Sequence, residues 1–187
     1  MGIFNLFRKK LSKGDFIVAW LAFHKDLSRT LFQQFKDIFL YKDELDMLLA
    51  FKEIEYLVFW LLRRQLNETI LTDIYNEFLD KSKLSYDTFR EQLEMRYKIY
   101  DDAYNKFVSE PHKDNNSKYG LAIGQIVIKS IGNLDLSKNG CLKDDKNNDV
   151  AIVFKAFSIW FEGIKLVDNI IETAKRKFQI EAFLREA

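Results

Sequence analysis

The chain has 187 residues, 48% of them hydrophobic and 30% charged, with a net charge of +1. That length suits one domain with its own core, and the balance excludes a disordered chain and a global attraction for nucleic acid. Aromatic residues are abundant, 17 Phe, 8 Tyr and 3 Trp, while Pro occurs once and Gly seven times, which favours helices joined by few loops.

The first predicted element is a short amphipathic helix within residues 1–13. At about 100° per residue, Ile3, Phe4, Phe7 and Leu11 share one sector, and Arg8, Lys9 and Lys10 lie outside it. A basic, apolar-faced helix of this kind is built for a partner's groove or an anionic membrane surface, or it plugs the end of a bundle. Its apolar stretch is too short, and wrongly placed ahead of the basic residues, to be a signal peptide. Gly14 and Asp15 read as a break and a cap, after which residues 14–187 form a single α-helical domain.

A helix over 16–39 follows, with Phe16, Trp20, Phe23, Leu27, Leu31, Phe35 and Ile38 at three- and four-residue steps. The pattern restarts at Asp43 and runs to about residue 66 through Leu45, Leu48, Leu49, Ile54, Leu57, Val58, Leu61 and Leu62. Glu53 stands among apolar neighbours there, which makes it a candidate for a shifted pKa; the alternative is the solvated face of an amphipathic helix. Asn67 is placed to cap a helix over 68–81, and Ser85 one over 86–108. The latter carries Tyr97, Tyr100 and Tyr104 on one stripe. These tyrosines either line an interior pocket with Glu53 or belong to the core with their hydroxyls at its edge. Stacking on nucleic-acid bases is disfavoured, because Glu91, Glu94, Asp101 and Asp102 leave this helix acidic.

Residues 119–132 read as a further helix, and 133–149 as a polar loop. Part of that loop, Asp135, Ser137, Asn139 and Gly140, resembles a calcium-binding loop, but Lys146 stands where the closing carboxylate is required. The two histidines, His24 and His112, lack the Glu-x-x-His spacing of a di-iron bundle. The lone Cys141 offers no intramolecular disulfide and suits a reducing, cytoplasmic setting. Neither a metal, a cofactor nor a catalytic group is therefore expected.

The last predicted helix, 149–180, is long. Val153, Phe157, Trp160, Ile164, Val167, Ile171, Ala174 and Phe178 keep an unbroken four-three spacing, while Ile152, Ile159, Leu166 and Ile170 form a second stripe. Such a helix either passes through the middle of the domain, largely buried, or presents its second stripe to another chain as a homodimer. The expected architecture is an all-α bundle of six or seven helices. The expected function is a non-enzymatic binding or scaffold module, docking through Ile3, Phe4, Phe7, Arg8, Lys9, Lys10 and Leu11 on a protein partner or the periphery of a membrane. The alternative is a small-molecule-binding bundle or enzyme with its pocket at Glu53, Tyr97, Tyr100 and Tyr104.

Overall fold

The computed structural model describes residues 9–38, 41, 43–82, 85–109 and 149–185. Ile3, Phe4, Phe7, Arg8, His112, Cys141, the predicted helix over 119–132 and the Asp135–Lys146 loop lie outside them. Among the described residues there are five helices, so the chain is all-α: α1 (Lys13–Lys36), α2 (Glu44–Arg63), α3 (Glu68–Ser82), α4 (Tyr86–Ser109) and α5 (Asp149–Lys177). No described helix is long and apolar enough to cross a membrane.

The starts of α1 to α4 have side-chain partners for their free N–H groups. Asp43 accepts from Asp46 N–H at 2.9 Å and Asn67 accepts from Ile70 N–H at 3.0 Å. Ser85 accepts from Thr88 N–H at 3.3 Å. At α1 the cap is Ser12 rather than Gly14–Asp15. Its Oγ accepts from Asp15 N–H at 3.1 Å and donates to the Asp15 carboxylate at 2.6 Å. Gly14 is thus an ordinary first-turn residue, and a Cβ added there would meet nothing within 4 Å. Gly14→Ala should therefore stabilise the fold by about 0.5–1 kcal/mol, since the unfolded chain loses freedom at no steric cost. A destabilised variant in urea unfolding would contradict that reading.

The enclosed helix is α2, not α5. It packs on α1, α4 and α5, and seven consecutive residues, Tyr56 to Leu62, are buried all round its circumference. Two aromatic groups clasp it from different sides. Phe59 meets His24, Tyr75, Phe78 and Phe89 with ring centroids 4.0–5.6 Å apart. Trp60 stacks on Trp160 at 5.9 Å and meets Tyr100 and Tyr104 at 5.4 and 6.1 Å. On α5 the first stripe is buried at Trp160, Ile164, Val167 and Ile171. The second is not enclosed: Leu166 is 41% exposed, and Ile159 and Ile170 are half-buried. Among the described helices, α5 packs chiefly on α1 and α2. Gly163 permits that approach, its Cα sitting where a Cβ would come within 3.3 Å of Leu61 Cδ1.

The chain ends replace the last turns expected of helix with extended backbone. β1 (Lys9–Lys10) pairs in parallel with β2 (Phe178–Gln179), so Lys9 and Lys10 are strand, not helix. A short 3-10 turn (Glu181–Phe183) follows, and Leu184 bridges to Leu66. Asn67 N–H donates to Phe183 O at 3.2 Å, Arg185 N–H to Gln65 O at 3.0 Å, and Asn67 Nδ2 to Ala182 O at 2.8 Å. These bonds satisfy backbone groups at the α2–α3 turn that would otherwise need water.

Candidate functional site

The described part of the predicted N-terminal docking segment divides by residue. Lys9 and Lys10 are exposed on β1. Leu11, expected beside the docking phenylalanines, is half-buried and packs against the core.

The predicted pocket residues lie on two helices that pack together, Glu53 on α2 and Tyr97, Tyr100 and Tyr104 on α4. Tyr97 and Tyr100 are buried. The Tyr97 hydroxyl shares a 2.5 Å hydrogen bond with that of Tyr75, and burial pushes Tyr75 up to about 12 and Tyr97 up as well. Tyr104 lies under the Arg64 guanidinium, 3.7 Å from its ring centroid. Glu53 is held by Arg96 in a two-pronged ion pair, with Nε donating at 2.5 Å and Nη2 to the other oxygen. That geometry matches a planar guanidinium to a carboxylate, and the Glu53 hydrogen bond raises the Arg96 pKa. Arg96 also lies 4.3 Å over the Tyr56 ring and donates to Gln92 O at 3.1 Å. The Tyr56 hydroxyl donates to the Gln92 side-chain carbonyl. Glu53, Arg96, Gln92 and Tyr56 therefore form a closed polar strap between α2 and α4.

Among the described residues, open space lies along the groove between α1 and α2. A cleft of about 630 Å³ is walled on one side by Val18, Leu21, Ala22, Lys25 and Arg29. These recur at three- and four-residue steps on one face of α1. The other wall is Phe51 and Glu55 of α2, and Phe78 of α3 closes the end. An adjoining cleft of about 360 Å³ shares Phe51, Glu55 and Phe78 and continues over Leu48, Leu49 and Lys52 to Phe89. Together they make one trough with an aromatic floor. Its margin is apolar too: Val18 is 64% exposed, Leu45 62%, Leu48 64% and Leu49 54%. Leu45, Leu48 and Leu49 thus face outward, although their spacing is that of a core stripe.

The charged groups are unevenly placed. Lys25 and Arg29 are exposed, and neither is ion-paired among the described residues. Lys52 is half-buried with its ammonium 5.9 Å over the Tyr56 ring. Burial raises the pKa of Glu55, partly offset by Lys52. At the base, His24 is buried and donates from Nε2 to the Glu55 carbonyl at 3.2 Å. Burial lowers its pKa to about 4, so the ring is neutral near pH 7. One turn on, the buried Ser28 hydroxyl has no hydrogen-bond partner among the described residues.

Among the described residues, no three His, Cys, Asp or Glu side chains converge as a metal site would require. What the trough can do is cover apolar surface and meet negative charge at one edge. The sequence signal for it is a second apolar row on α1, Val18, Leu21 and Ala22, beside the main one. No protein-family model, curated protein or solved structure matches this chain.

Proposed function

We propose that this chain is a non-enzymatic binding module whose docking face is the trough between α1 and α2. One observation carries the reading: Val18, Leu48 and Leu49 line an aromatic-floored cleft and stay exposed, as does Leu45 one turn before Leu48 and Leu49. Contiguous apolar surface on a small domain marks an interaction site. Covering each of these side chains would contribute about 1.5–3 kcal/mol when burial is complete, before the cost of ordering the complex is subtracted.

The N-terminal segment remains in the proposal as a second docking element for a membrane surface or a partner. Lys9 and Lys10, exposed beside it, support that role, and a cytoplasmic place, in solution or at a membrane periphery, belongs with it. The outward Leu166 supports a homodimer in the same way. The expected sixth or seventh helix rests on the apolar periodicity of 119–132 and of the N-terminal residues.

An environment-sensitive apolar dye, anilinonaphthalene sulfonate, tests the main reading. The double variant Val18→Glu, Leu48→Glu should lose most of the dye fluorescence and keep its melting temperature within a few degrees, because both positions are exposed. Undiminished fluorescence would place the apolar surface elsewhere. Sedimentation with anionic vesicles, using the chain without residues 1–8, separates the N-terminal element: lost binding supports it and unchanged binding removes it.

A further inference from the structure

We infer that the trough receives an amphipathic α-helix of a partner protein, with acidic residues along the edge that meets Lys25 and Arg29. This rests on the trough being a docking face, as proposed above, and adds the chemistry of the occupant.

Shape comes first. The two clefts adjoin and share Phe51, Glu55 and Phe78, so the open space extends from α1 across α2 to Phe89 of α4. A small ligand seated in it would leave Leu45 in water, since Leu45 lines neither cleft. A helix about 10 Å across can fill the trough with one stripe and cover that margin with its flanks.

Charge selects among helices. Lys25 and Arg29 stand on one wall without ion partners among the described residues, and Lys52 lines the adjoining cleft. Against them the trough holds one carboxylate among the described residues, Glu55, whose charged form burial disfavours. An occupant with acidic flanks gains partners for two unpaired cations, and one with basic flanks meets like charge. The chain's own basic N-terminal residues are disfavoured as an occupant by the same rule. The acids Glu44 and Asp46 lie at the outer end of the leucine patch, which directs the acidic end of the partner away from them and toward Arg29 and Lys25.

Fluorescence anisotropy with the full chain tests this. Two labelled 18-residue model helices carry the same leucine–alanine stripe, one flanked by glutamate and one by lysine. The glutamate peptide should bind at least about tenfold more tightly than the lysine peptide. The double variant Lys25→Glu, Arg29→Glu should reverse that order with its melting curve unchanged, since both side chains are exposed. Equal binding of the two peptides, or no reversal, overturns the proposal. Decanoate displacing the apolar dye while neither peptide binds would overturn the helical occupant and leave the docking face standing. Binding to anionic vesicles with no peptide binding would overturn it likewise. If peptides, decanoate and dye all fail to bind, the docking face itself is refuted.

Discussion

Trp60→Ala is expected to remove about 3–5 kcal/mol of stability, a large share of the roughly 5–15 kcal/mol that holds such a domain together. Trp60 is fully buried in α2, stacked on Trp160 with the planes 18° apart. Its Nε1 donates to Asp101 Oδ1 at 2.7 Å. Alanine would leave a void bounded by Trp160, Tyr100 and Tyr104, rings too rigid to close it, and would strip three aromatic contacts at once. Trp60→Phe keeps the stacking and loses the indole donor, and Asp101 is exposed enough to take water instead. That variant should cost about 1–2 kcal/mol. Urea unfolding of both variants gives the comparison. A loss below about 1 kcal/mol for Trp60→Ala would mean that α2 is not the centre of the fold.

The second large effect is a pH dependence at His24. In the unfolded chain the imidazole takes a proton as the pH falls through its ordinary value of 6.5, whereas the folded, buried ring resists until about 4. The unfolded state therefore binds more protons throughout that window. The stability is fully present above pH 6.5 and is lost as the pH falls toward 4, by about 3 kcal/mol at the limit. Glu55 works in the opposite sense, because burial raises its pKa and so favours the folded state at lower pH. A difference between two proteins removes that background. His24→Gln keeps a donor toward the Glu55 carbonyl and has no proton to take up. Between pH 7.5 and 4.5 the natural chain should lose about 2–3 kcal/mol more than this variant in urea unfolding. Equal losses would mean that the His24 ring is protonated in the folded state without penalty.

Much of the fold is legible in the residues. The four-three spacing of Trp160, Ile164 and Val167 identifies a buried face, and Asn67 and Ser85 sit where caps must be. Which helix lies at the centre is not legible, because α2 and α5 both carry apolar residues over more than half of their circumference. Periodicity says which faces avoid water, not which neighbours arrive to cover them. The same ambiguity hides the trough: Leu45, Leu48 and Leu49 have core spacing but are exposed. The two-residue strands escape for a different reason, since two residues hold no period and their partners lie at opposite ends of the chain. Gly14 misleads because glycine usually marks a break, while Ser12, two residues earlier, supplies the actual cap. The tyrosine stripe was readable as aromatic and inward, as Tyr97 and Tyr100 are. That Arg96 would come from α4 to neutralise Glu53 required the tertiary structure.

Under the proposed function, the α1–α2 trough is where this molecule meets its partner. Backbone amide chemical-shift mapping during titration with the glutamate-flanked helix tests it most directly. The predicted shifts fall on residues 18–29 of α1 and 45–55 of α2, with Phe78 and Phe89 at the floor. Saturable shifts confined to the outer faces of α4 and α5, with residues 18–29 and 45–55 unmoved, would contradict it.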